Sequence, residues 1–126
     1  MKTILFSESN QIAFIKLNRP DVRNAFNSEM ISELTTLFKS LQKRNDIRAI
    51  GLTGEGKVFC AGADLNWMKS MIDFSLQENK EDSNKLYEMF SALNDLDLPV
   101  VAHVHGAVFG GALGLIANCD YVVSEA

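Results

Sequence analysis

Apolar and polar residues alternate in two short runs at the start of the chain. Thr3 to Ser7 and Gln11 to Leu17 read as β-strands around Glu8-Ser9-Asn10, a hairpin or meander. Asn18-Arg19-Pro20-Asp21 breaks the alternation, and Pro20 favours an extended Arg19. The period then lengthens. Ile31, Leu34, Leu37, Phe38 and Leu41 recur at helical spacing, with Asn27 or Ser28 able to cap the start, and this helix is predicted to end near Asn45-Asp46. Ile47 to Thr53 is a short apolar strand, followed by the glycine-rich loop Gly54-Glu55-Gly56-Lys57. Val58 to Asp64 is apolar and small, and Asp64 can cap a helix carrying Leu65, Trp67, Met68, Met71 and Ile72. Charge density rises from Phe74 to Asp97, where Tyr87, Phe90 and Leu93 mark the apolar side of an amphipathic helix. Pro99 opens a strand over Val100 to Val104, Gly106 to Gly111 turns, Ala112 to Asn118 is a short helix, and Tyr121 to Ser124 begins another strand. Strands alternating with helices predict an α/β fold with a largely parallel sheet after the opening hairpin. The last strand has barely begun at Glu125-Ala126, so a piece of a longer domain is expected.

Composition narrows the classes. The 126 residues are 47% hydrophobic and 22% charged, enough for a buried core without staples and too apolar for a disordered chain. Twelve Lys and Arg against sixteen Asp and Glu leave a net charge of −4. Nucleic acid and anionic membranes are therefore not expected partners, since both select a basic face. One phosphorylated ligand held by a local cation stays compatible. Cys60 and Cys119 sit among apolar neighbours and read as reduced, buried thiols of a cytoplasmic protein. The apolar start Met1 to Phe6 stops at Ser7-Glu8-Ser9-Asn10, too short for a signal peptide. The uncharged window Leu98 to Cys119 contains Pro99, His103, His105 and Asn118, and fits a strand, turn and helix better than a membrane span.

Candidate chemistry is sparse. Gly51 to Lys57 satisfies the GxxxxGK spacing of a nucleotide phosphate loop, but Val58 stands where such a loop needs a hydroxyl for magnesium. Phe59-Cys60-Ala61-Gly62 is also poor material for starting a helix, so a turn between strands fits better. His103 and His105 alternate on a strand and could face one metal ion; no third ligand falls at a diagnostic spacing, and no metal is expected. Two glycine-rich turns remain, Cys60-Ala61-Gly62-Ala63-Asp64 and Gly106-Ala107-Val108-Phe109-Gly110-Gly111. Each precedes a helix, where N–H groups are free and small residues admit close approach. Facing one another, they would put two donors around one oxygen and stabilise a developing oxyanion, worth roughly 10²–10³ in rate per donor. No Ser-His-Asp pattern accompanies them, and Cys60 lacks an activating base.

LNRPDVRNAFN (Leu17 to Asn27), GEGKVFCAGADLNWM (Gly54 to Met68) and LPVVAHVHGAVFGGALGLIANCDYVVS (Leu98 to Ser124) together resemble the enoyl-CoA hydratase/isomerase (crotonase) superfamily, in order and spacing over nearly the whole chain. The GADLNWM segment is similar to 3-methylglutaconyl-CoA hydratase-type members. The resemblance implies a crotonase-like spiral of ββα units, with residues 1–126 as its N-terminal part and the C-terminal part absent. It implies an acyl-CoA thioester as partner, no separate cofactor because coenzyme A belongs to the substrate, and a homo-oligomer. The implied reaction is water addition to a 2-enoyl-CoA; a double-bond isomerase and a non-catalytic truncated domain are the alternatives.

By motif, the resemblance makes the N–H groups of Ala63 and Gly111 the oxyanion hole. It places Arg23 and Ala25 at the adenosine-phosphate and pantetheine end, and Ala61, Gly62, Asp64 and Leu65 along the adenine and pantetheine channel. Gly110 and Gly114 join the substrate-binding set, and Trp67, Met68, Met71 and Ile72 would shape the acyl pocket. Hydratases of the family use two glutamates around a water. The place of the first falls on Gly114, and the second would lie beyond Ala126. Proton transfer contributes typically ~10²–10⁴ in rate, so these residues alone are expected to be nearly inert. Apolar faces left uncovered are expected to drive association.

Overall fold

The computed structural model describes residues 2–64, 66, 68–69, 76–106, 108 and 110–124. Among the described residues five strands and three longer α-helices follow one another: β1 (Ile4–Ser9), β2 (Ile12–Leu17), α1 (Ser28–Gln42), β3 (Ala49–Gly54), α2 (Leu76–Asn94), β4 (Val100–Val104), α3 (Gly111–Ala117) and β5 (Tyr121–Ser124). The strands form one mixed sheet in the order β1-β2-β3-β4-β5. Only β1 and β2 are antiparallel; every later pair is parallel. This is the α/β fold that the alternating pattern predicts.

The hairpin is tighter than its sequence suggests. Ser9 pairs with Ile12, leaving Asn10 and Gln11 as a two-residue turn with φ of 52° and 67°. Positive φ at both central residues matches the right-handed twist of the flanking strands. Asn27 caps α1, its side-chain oxygen accepting the Met30 N–H at 2.9 Å.

The period-two pattern of the strands decides which face is covered. Ala13, Ile15 and Leu17 of β2, Ile50 and Leu52 of β3, and Val100, Ala102 and Val104 of β4 all point into one core. Met30, Ile31, Leu34, Leu37, Phe38 and Leu41 of α1 and Met89, Ala92 and Leu93 of α2 fill it from the other side. Because the strand order never reverses, connections of one hand deliver their helices to one face. The segments 18–27, 55–66 and 105–111 follow the C-terminal ends of β2, β3 and β4. In a parallel sheet, that end is where ligands bind.

In the uncharged window 98–119 the described residues form a strand, Val100–Val104, and a helix, Gly111–Ala117, as expected. Among the described residues no helix is long and apolar enough to cross a membrane. Residues 51–57 run through β3 into a bend with no helix after Lys57, so the phosphate-loop reading fails.

Candidate active site

Three loops converge at the C-terminal end of the sheet, and Asn24 ties two of them together. It is fully buried at φ 56°, a left-handed conformation that Asn tolerates better than most residues. Its amide nitrogen donates to the carbonyls of Glu55 at 2.8 Å and of Val58 and Phe59 at 3.1 Å, while its oxygen accepts the Arg19 N–H at 2.7 Å. The Cys60 thiol donates to the Asn24 carbonyl at 3.1 Å. Burial pushes that thiol up to about 11, which removes Cys60 as a nucleophile near neutral pH. The Cys119 thiol is likewise pushed up to about 11, first by burial and then by Asp120.

The second loop is pinned to the first by a short parallel bridge. The Phe26 N–H donates to the Gly62 carbonyl at 2.7 Å, and the Asp64 N–H donates to the Phe26 carbonyl at 2.7 Å. These bonds fix the direction of the residue between them. In a trans peptide the C=O and N–H point oppositely. The Gly62 carbonyl points at Phe26, so the Ala63 N–H of the same peptide unit points away from it. Among the described residues it has no hydrogen-bond partner.

The third loop repeats the device. The Gly110 carbonyl accepts the Leu113 N–H at 3.0 Å, inside the first turn of α3. The Gly111 N–H of that peptide unit therefore points out of the helix start, where no intrahelical acceptor exists. A glycine at positive φ precedes each donor: Gly62 at 91° and Gly110 at 55° with ψ −123°. Side chains would be strained at both.

The two loops run side by side. Cys60 bridges Val108, and the Phe59 N–H donates to the His105 carbonyl at 2.8 Å. A methyl built on Gly110 would come within 4.0 Å of the Gly62 Cα, and one on Gly111 within 3.4 Å of the Phe26 ring. Phe26 thus touches both donor loops, one through its backbone and one through its ring. Ala63, Gly110 and Gly111 line a single cavity of about 900 Å³, together with Ala25, Ala61, Asp64, Met68 and Arg23. Arg23 and Asp21 also line an adjoining cavity of about 740 Å³ with Lys57. A cation lies where a phosphate could be met, and small residues lie where a chain could pass.

Most of the residues singled out by motif meet here. Gly62 is buried and orients Ala63 through its carbonyl. Asp64 lines the cavity, but its carboxylate accepts from the Arg19 guanidinium at 3.0 Å and from the Asn66 N–H at 2.7 Å. Gly114 is elsewhere: a methyl there would meet the Phe90 ring of α2 at 3.0 Å, and it is not among the lining residues. Leu65, Trp67, Met71, Ile72, Ala107 and Phe109 lie outside the described residues. The His103–His105 pair has a structural use at one member, where the His105 ring bonds the Gly56 carbonyl at 2.8 Å. Arg19, Asn24 and Phe26 were not predicted. Asn24 stands between two residues assigned by motif, and its kind's tolerance of left-handed backbone was the available signal; Arg19 offered none.

At the C-terminal end of a mixed α/β sheet, two residues whose main-chain N–H groups have no partner among the described residues, Ala63 and Gly111, thus line one cavity of mostly small residues. The enoyl-CoA hydratase/isomerase family profile matches residues 7–126, and the chain belongs to that family, the crotonase superfamily. A Thermus thermophilus protein that carries an enoyl-CoA hydratase assignment is 35% identical over 118 residues, 94% of this chain and 47% of its own length. The mitochondrial Delta(3,5)-Delta(2,4)-dienoyl-CoA isomerase of Mus musculus is 31% identical, over 90% of this chain and 37% of its own. The crystal structure of an enoyl-CoA hydratase from Shewanella pealeana superposes with a TM-score of 0.94 at 34% identity, covering 97% of this chain and 46% of that one. The chain thus spans about half the length, or less, of the relatives it matches.

Proposed function

We propose that these residues form the acyl-CoA-binding part of an enoyl-CoA hydratase-type enzyme. The observation that carries the reading is the pair of oriented donors, the Ala63 and Gly111 N–H groups, on one cavity. A thioester carbonyl oxygen between them gains two hydrogen bonds that strengthen as the oxygen becomes an enolate. Each such donor is worth roughly 10²–10³ in rate. Hydroxide from water then adds at C3 and a proton at C2, so the 2,3 double bond is consumed and a 3-hydroxyacyl thioester results. Arg23 would meet the phosphates of coenzyme A, Ala25 and Ala61 the pantetheine arm, and Met68 the acyl end.

A carboxylate outside these residues would move the proton. Asp64 is held by Arg19, and Asp21 is exposed where the two cavities meet. The 126 residues alone are therefore expected to turn over little substrate. Gly114 favours a second reading. The Phe90 ring fills the space beside it, and a 1,3-proton shift by a double-bond isomerase needs only one carboxylate. A 3-methylglutaconyl-type acyl group from branched-chain breakdown, a cytoplasmic location and a homo-oligomer belong to the same proposal. The exposed residues Tyr121, Val122 and Val123 of β5 favour association of these 126 residues on their own.

Steady-state assays of the intact gene product on crotonyl-, 3-methylglutaconyl- and 3-enoyl-CoA test this. Hydration of a 2-enoyl thioester supports the first reading, and turnover confined to the 3-enoyl thioester supports the second. No turnover together with no coenzyme A affinity refutes both.

A further inference from the structure

Arg19 lies beneath the donor loop, and its fork spans the joint on which the Ala63 N–H depends. One guanidinium nitrogen donates to the Ala25 carbonyl, and another donates to Asp64 Oδ2 at 3.0 Å. Ala25 immediately precedes Phe26, and Asp64 immediately follows Ala63. The fork therefore closes across the Phe26–Ala63 bridge from outside the cavity. The Arg19 backbone is fixed as well, through its N–H bond to buried Asn24. The ion pair is largely withdrawn from water, with side-chain exposures of 19% for Arg19 and 9% for Asp64. A pair so enclosed is screened less by solvent than a loosely held surface pair.

We infer that Arg19 is a positioning residue that aims the Ala63 N–H by tying the Ala25 carbonyl to the Asp64 carboxylate. The inference rests on the reading of Ala63 as a thioester donor. The fork stops the 62–64 peptides from turning about the bridge, and a misplacement of about 1 Å at a reacting group costs up to roughly 10²-fold in rate. Arg19→Gln loses the fork. Arg19→Lys keeps the charge but replaces the planar fork with a single point donor.

The test uses the intact gene product with cinnamoyl-CoA, whose conjugated thioester absorbs at longer wavelength when its carbonyl is polarised. Wild type should red-shift the bound chromophore. Arg19→Gln should abolish most of the shift and lower kcat at least tenfold with KM within about twofold. Arg19→Lys should fall between. A wild-type shift that Arg19→Gln retains in full overturns the positioning role and leaves the donor reading intact. No shift in wild type overturns the donor reading and this inference with it. If Arg19→Gln does not accumulate as folded protein, Arg19→Lys decides: a reduced shift supports the role, and a full shift overturns it.

Discussion

A main-chain donor is hard to delete, but the start of α3 offers a clean way to do it. Gly111 is the first residue of that helix, the position where proline is best tolerated because its missing N–H has no intrahelical acceptor. Gly111→Pro therefore removes the proposed donor while keeping the helix. The preceding residue also permits the ring. Gly110 sits at φ 55° and ψ −123°, the mirror image of the extended region that residues before proline favour, and it carries no Cβ to clash. The control is Gly111→Ala, which keeps the N–H and adds a methyl 3.4 Å from the Phe26 ring, a contact the ring can meet with a small shift. If the Gly111 N–H carries one of two hydrogen bonds to the enolate oxygen, proline should lower kcat by about 10²–10³, equivalent to about 2.7–4 kcal/mol. Alanine should stay within about threefold. Initial rates of the intact gene product on its preferred enoyl thioester, with far-UV circular dichroism to confirm the helix, give both numbers. If Gly111→Pro keeps more than about a third of the wild-type kcat in a folded protein, the oxygen is not held at this nitrogen.

Three further outcomes follow from the same structure. Asn24→Ala should cost about 3 kcal/mol in urea unfolding, from its two amide N–H groups shared among the Glu55, Val58 and Phe59 carbonyls and its oxygen on the Arg19 N–H, at about 1 kcal/mol each; Asn24→Gly, which relieves the φ of 56°, should be less damaging by roughly 1 kcal/mol, and equal losses would refute the strain argument. Burial raises the Glu33 carboxyl, but hydrogen bonds from Thr3 and Lys2 outweigh it and hold the group below its ordinary range. Its stabilising effect is therefore complete above the unfolded value and is lost as pH falls through the lower folded one, so Glu33→Gln should flatten the acid-side decline of the urea midpoint, and an unchanged acid limb would contradict this. With Cys60 pushed up to about 11, iodoacetamide at pH 8 should modify it far more slowly in the folded protein than in urea; equal rates would show the thiol to be accessible.

What the sequence could and could not disclose divides along one physical line. Elements whose signal is a period were legible: the 3.6-residue spacing from Ile31 to Leu41 became α1, and the apolar run at Val100 to Val104 became β4 with those bounds. The first strand ran two residues past its expected end because Gln11 is not a usual residue for positive φ, so nothing in its identity marked the turn at Asn10-Gln11. The two glycine-rich turns were legible as places of close approach, since glycine is what a positive φ before a helix selects. Their orientation was not legible. The direction of the Ala63 N–H is set by the carbonyl of Gly62, and that carbonyl is set by Phe26, some thirty-six residues earlier in the chain. A main-chain group has no side-chain identity to announce it. Its aim is a property of the peptide plane and of whatever bonds the other end of that plane. This is why Arg19, Asn24 and Phe26 carry little signal in the sequence. They act on the site through carbonyls and ring edges of other residues, and contacts between segments far apart in sequence leave no local pattern. A site built from backbone donors is thus written in two places, in the glycines that let the chain bend and in the distant side chains that hold the bend, and only the first can be read one residue at a time.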